Sequence, residues 1–275
     1  MVTRPLLPPK AAESPSHLGG MPGTVLRATL APCQDPTMGL FRRKASPEPS
    51  AAVATTTASL SSLAARLPEA QTLIRWSQSM AMLDAILSPE WDMRYFSHNI
   101  EWAPSEQMAS MRNGSGDEYS FTFMPHGTYG RGFDHESALS PFIRQPPRPL
   151  PGLLDVIPNE LQAAAAESAF TLIDVQSVTL TLWRLEEDAA WSHGQARDLE
   201  SSTGDDGGTW LFDLLDGTPE TYLSYASDYY EASLNLDAIR HVFEHQPLTN
   251  EVVRSLNHEM TLGLVTEDIN SIGYP

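Results

Sequence analysis

The chain has 275 residues, 41% of them hydrophobic, and carries a formal net charge of −18. That balance repels phosphate backbones and argues against direct nucleic-acid binding. The single cysteine, Cys33, excludes an intramolecular disulfide and a cysteine-based zinc site.

Residues 1–58 hold nine of the 22 prolines and one aromatic residue, Phe41. Such a segment buries too little apolar surface to offset the entropy of ordering it, so it is expected to be a disordered tail. It carries six basic and three acidic residues, including both lysines, Lys10 and Lys44. The remainder carries 32 acidic residues against 11 arginines. Met38-Gly39-Leu40-Phe41-Arg42-Arg43-Lys44 has the look of a natural chain start, which would make residues 1–37 foreign to the native protein. No apolar run is long enough to span a membrane, and Pro5, Pro8 and Pro9 break any signal-peptide-like stretch. A cytoplasmic protein is expected.

From residue 59 the pattern is that of one α+β domain, a small antiparallel β-meander packed with a helical C-terminal half. Leu73, Trp76, Met80, Leu83 and Leu87 recur at helical spacing, which predicts an amphipathic helix over residues 69–87. Gln107–Asn113, Glu118–Phe123 and Thr128–Phe133 read as three strands joined by Gly- and Pro-containing turns. Tyr119, Phe121 and Phe123 share one face of the second. The proline-rich stretch Pro141–Pro151 predicts polyproline II, acting as a stiff connector or a docking peptide. Short helices near 152–167 precede a strand over Val178–Arg184. An acidic loop follows over 186–208, then a helix over Gly208–Leu215. Thr218-Pro219-Glu220 is an N-cap with a first-turn proline and acid. It opens a helix on which Tyr222, Tyr225, Ala226 and Tyr229 share a stripe. Two or three further helices run from Leu236 to Ile272.

In a three-stranded meander, the end of the first strand and the end of the third lie at one edge. Arg112, Asp117, Asp134, His135 and Glu136 are therefore candidates to converge. A histidine between carboxylates suits general acid–base work, and Arg112 suits an anionic group. The same residues suit a plain hairpin, because Asn113-Gly114-Ser115-Gly116-Asp117 supplies what a tight turn needs. The catalytic candidates are Asp134, His135, Glu136 and Arg112. The binding candidates are Asn113, Asp117, Glu118, Asp228, Tyr229 and Glu231. His241 and His245 stand four residues apart, as two ligands on one helix face would, but a third ligand is lacking. Asp205-Asp206-Gly207-Gly208 lacks the alternating oxygens of a calcium loop. No phosphate-binding loop, dinucleotide fingerprint or nucleophile elbow occurs. No cofactor and no metal are expected.

Several phrases resemble a bacterial family of unassigned function. They are Met108-Ala109-Ser110-Met111-Arg112-Asn113-Gly114-Ser115-Gly116-Asp117-Glu118, Gly132-Phe133-Asp134-His135-Glu136-Ser137, Leu182-Trp183-Arg184, Asp228-Tyr229-Tyr230-Glu231 and the closing Ile272-Gly273-Tyr274-Pro275. The resemblance covers Trp76 to Pro275 and implies no activity. The charge suggests an acidic module that binds a basic protein, for example an immunity protein against a cationic toxin. A hydrolase built on the Asp/His/Glu cluster is one alternative. A structural or regulatory domain without a ligand site is another.

Overall fold

The computed structural model describes residues 60–197 and 205–275. The expected disordered tail, Cys33 and the Met38 start lie outside these residues, as does the middle of the acidic loop.

Helix α1 (Leu60–Arg66) leads into α2 (Ala70–Leu87), which forms where the periodicity predicts. It is not amphipathic throughout: every residue from Ser77 to Ile86 is buried. A stretch of helix so enclosed takes partners for its polar groups from its neighbours, with the Ser77 hydroxyl left as an exception. Gln78 Nε2 donates to the Ile272 and Gly273 carbonyls at 3.0 and 3.1 Å, and the Ser79 hydroxyl donates to Val242 O at 3.1 Å. Asp84 accepts the Tyr95 and Phe96 amides at 2.9 and 2.7 Å and the Tyr222 hydroxyl at 2.6 Å. The face that reads as solvent-exposed in the sequence is the face on which the C-terminal helices dock.

After a 3₁₀ turn at Trp91–Met93 come β1 (Phe96–Ala103), β2 (Glu106–Arg112), β3 (Glu118–Met124) and β4 (Gly127–Phe133). The meander has a strand in front of the three expected. In β1, His98 and Asn99 are both buried, which hides the period-two signal. The segment Pro141–Pro151 is not a uniform polyproline spacer. It opens with a 3₁₀ turn at Pro141–Ile143, and the Arg148 amide reaches back to Pro141 O at 3.2 Å. Helix α3 (Gln162–Ala165) and the two-residue strands β5 (Thr171–Leu172) and β6 (Val175–Gln176) follow. Then come β7 (Leu180–Leu185) and β8 (Ser192–His193). The helix expected over 208–215 is a 3₁₀ turn at Thr209–Phe212. Helices α4 (Pro219–Tyr229), α5 (Leu236–Phe243), α6 (Asn250–Leu256) and α7 (Thr266–Ile272) complete the chain.

The main sheet runs β1-β2-β3-β4-β7-β8, antiparallel at every pairing, so the class is α+β. Register fixes its two faces. Phe96, Met111, Tyr119, Gly132 and Leu180 form one row across the strands, and Ala109, Phe121, Gly130 and Leu182 form the next. This face packs on α2, with Phe212, Trp191 and the C-terminal helices in the same core. A Cβ on Gly130 would stand 2.6 Å from the Phe121 ring, so the missing side chain is what lets that ring lie across β4. The opposite face carries Ser97, Ser110, Ser120, Arg131 and Thr181 in one row. It is covered around Tyr129 by Ile157, Leu161, Ala164 and Ala165. Residues 134–179, an excursion between two adjacent strands, thus supply the second layer. No helix among the described residues is long and apolar enough to cross a membrane.

Candidate functional site

The β2–β3 hairpin turns through Gly114 and Gly116, both at positive φ (75° and 113°), a conformation that favours glycine. Asn113 closes the turn. Its Oδ1 accepts the Ser115 and Asp117 amides at 2.8 and 3.2 Å, and its Nδ2 donates to Asp117 Oδ2 at 2.7 Å. The turn sets Asp117, 6% exposed, against the segment that leaves β4. There Asp117 Oδ1 accepts the His135 amide at 2.9 Å and lies 2.6 Å from His135 Nδ1. Burial pushes the Asp117 carboxyl up, but the hydrogen bonds from the His135 amide and ring and from Asn113 outweigh it, leaving the group below its ordinary value. The bond to Asp117 raises the His135 ring above its ordinary value.

Asp134 stands beside this pair. Its amide donates to Thr179 Oγ1 at 3.0 Å, its Oδ1 accepts the Glu136 amide at 3.0 Å, and its Oδ2 accepts Trp210 Nε1 at 3.0 Å. Gly208, at φ 95°, permits the approach of the Trp210 turn, because a Cβ there would lie 2.8 Å from Asp134 Cβ. Glu136 is solvent-exposed, 4.0 Å from His135 Nε2. The edge therefore brings Asn113, Asp117, Asp134, His135 and Glu136 together.

Arg112 and Glu118 do not join them. The Arg112 guanidinium lies over the Trp91 ring at 4.1 Å, and Glu118 bridges to the buried Arg131. Both side chains belong to the face of the sheet away from α2. The guanidinium is thus turned toward Trp91, with no hydrogen bond or ion pair to His135 among the described residues. Thr179 and Trp210, which hold Asp134, lie 45 and 76 residues away from it in sequence, and nothing local in the chain marks them.

The arrangement has the form of an acid–base dyad. A buried carboxylate on Nδ1 holds the imidazole and leaves Nε2 toward solvent, free to take or give a proton. Among the described residues no serine, threonine or cysteine side chain is hydrogen-bonded to that nitrogen. Asp117, Asp134 and His135 also offer one ligand atom each within 4.8 Å of one another. Adjacent ligands on a tetrahedral ion with bonds of about 2.1 Å stand about 3.4 Å apart. The nearest pair, Asp117 Oδ1 and His135 Nδ1 at 2.6 Å, is closer than that and already hydrogen-bonded to itself.

The other sequence candidates have structural occupations. Helix α5 ends at Phe243, and His245 follows at φ 56°, so the two histidines do not share a helix face. His241 Nε2 lies 3.0 Å from Pro247 O, and His245 Nε2 lies 2.8 Å from Arg75 O. Asp205 accepts the Ser137 hydroxyl and the Ala138 and Gly207 amides at 3.0, 2.6 and 2.8 Å. Asp206 caps the Thr209 turn by accepting the Gly208 and Thr209 amides at 3.0 and 3.1 Å. Asp228 is exposed on α4. Tyr229 ends that helix, 39% exposed, stacked on Tyr225 with ring centroids 5.4 Å apart. Glu231 follows in the left-handed region at φ 50°. No protein-family model matches the chain, and no curated protein or solved structure matches it either.

Proposed function

We propose that the chain is an acidic binding module that docks a basic protein through its helical half. The observation that carries this reading is the partition of charge within the fold. Residues 205–275 hold 13 acidic residues and two arginines, whereas residues 60–197 hold 17 acidic residues and nine arginines. Ten of the 13 are solvent-exposed. Arginine bridges reach Asp213, Glu220, Asp237 and Asp268. Asp216, Asp228, Glu244, Glu251, Glu259 and Glu267 have no arginine within ion-pair distance among the described residues. A surface with an excess of one sign steers an oppositely charged partner and speeds its capture at low salt. An immunity protein that neutralises a cationic toxin is one form this function takes.

Capture with the full chain at low salt, followed by association kinetics on the recovered protein, tests the proposal. The expected partner is basic, with an on-rate that falls steeply as salt rises. Recovery of no basic protein, or an on-rate indifferent to salt, would overturn it.

A second reading rests on the 2.6 Å contact between Asp117 and His135. In it the edge cluster is a hydrolytic site, with His135 Nε2 as general base and Asp134 and Glu136 flanking it. Turnover of chromogenic esters or amides that is lost in both His135→Ala and Asp117→Asn supports it. Turnover unchanged in both variants, or absent from the parent, removes it.

A further inference from the structure

Helix α4 has a second stripe beside the one that packs into the core. Tyr222 and Ala226 are buried, while Thr221, Ser224, Tyr225 and Asp228 fall at i, i+3, i+4 and i+7 on the adjoining face. With Leu214 and Glu220 these four line a shallow, open groove of about 480 Å³. Its apolar lining comes from Leu214 and Tyr225. Thr221 and Ser224 are small and leave room for a main chain. Each end carries a carboxylate: Glu220 in the first turn, paired with Arg240, and Asp228, without an arginine partner among the described residues, in the last.

We propose that this groove is the docking locus for an extended, cationic segment of the partner, with two basic side chains four residues apart and an apolar one between them. This rests on the acidic-module reading above. Eight residues of helix separate Glu220 from Asp228, a rise of about 12 Å. Extended chain covers about 13 Å in four residues, so basic side chains at i and i+4 meet both carboxylates. The residue midway, at i+2, projects to the same side of the strand and reaches Leu214 and Tyr225. Asp228 has no ion-pair partner among the described residues. Glu220 already holds Arg240, with Oε1 2.6 Å from its Nη2. That pair lies at the surface, with the two side chains 47% and 55% exposed, and is exchangeable, since surface ion pairs contribute little.

The probe is a fluorescent peptide with arginines at i and i+4 and leucine at i+2, titrated into the full chain at low salt and read by anisotropy. A scrambled peptide with adjacent arginines serves as the control. The expected result is saturable binding that Asp228→Asn weakens about five-fold, on the scale of one lost charge contact. Ser224→Arg, which places bulk and positive charge in the groove, abolishes binding. The double variant Glu186→Gln/Glu187→Gln removes two exposed charges from outside the helical half and the groove, and leaves the affinity within about two-fold. Thermal melts verify that each variant is folded. Equal weakening by groove and non-groove substitutions, or equal affinity for the scrambled peptide, would overturn the groove while leaving the acidic module standing. Failure of the parent to bind any cationic peptide or protein would remove the module itself.

Discussion

Asp84 is fully buried, and its carboxylate ties α2 to β1 and α4 through two amides and the Tyr222 hydroxyl. Burial raises its pKa from 3.8 to about 6, against the hydrogen bond from Tyr222. A carboxyl raised on folding binds its proton more tightly in the native state. The stability it contributes is therefore fully present below about pH 4 and is lost as pH rises through 6. A rise of that size corresponds to about 3 kcal/mol. Comparing the parent with Asp84→Asn in urea, the parent's relative stability should fall by that order between pH 4 and pH 7. Asp84→Ala, which leaves three buried donors without an acceptor, should cost at least about 3 kcal/mol at either pH. His135 behaves in the opposite setting, since its ring is raised by a charged partner rather than by burial. The stability from its pairing with Asp117 is present below the ordinary histidine value and fades as pH rises past the raised one. An NMR titration of the ring should give a midpoint above 6.5 that Asp117→Asn brings down.

At the level of elements, the α4 start was legible in the sequence. Thr218 accepts the Thr221 amide, with Pro219 in the first turn, as the Thr-Pro-Glu order predicts. Thr218→Ala should cost about 1 kcal/mol by chemical denaturation. The β3 alternation was equally legible, because Tyr119, Phe121 and Phe123 all face the core. Less was readable where tertiary partners decide the outcome. Residues Ser77–Ile86 mix polar and apolar types, and only the docked α5 and α7 turn Gln78 and Ser79 into buried donors. The edge of the meander could be foreseen as a meeting place of Asp117, Asp134 and His135. The departure of Arg112 could not, because the Trp91 ring that takes its guanidinium sits on a 3₁₀ turn without a periodic signature. Proline content suggested a straight rod over Pro141–Pro151, whereas the backbone bond from Arg148 to Pro141 folds that segment on itself.

Across the whole molecule, the charge partition has a stability consequence independent of any partner. Like charges in excess on one half repel one another, and salt screens them within about 10 Å at 0.1 M. Added sodium chloride should therefore raise the melting temperature. Neutralising Glu251 and Glu259 together should shrink that salt response, measured by scanning calorimetry. A melting temperature indifferent to salt would mean that these carboxylates are too far apart to interact.

The excursion between β4 and β7 carries another consequence. The two strands are hydrogen-bonded neighbours, so the sheet's pairing does not depend on how long the chain between them is. Ser120, Thr122 and Arg131 nevertheless lie in the dark beneath it. Trimming residues 145–175 to a tight turn would keep the ladder intact and bring a ready-made polar surface into water. Evolution has at that point a place to exchange one cover for another, altering what the back of the sheet presents while its helical side goes on folding as before.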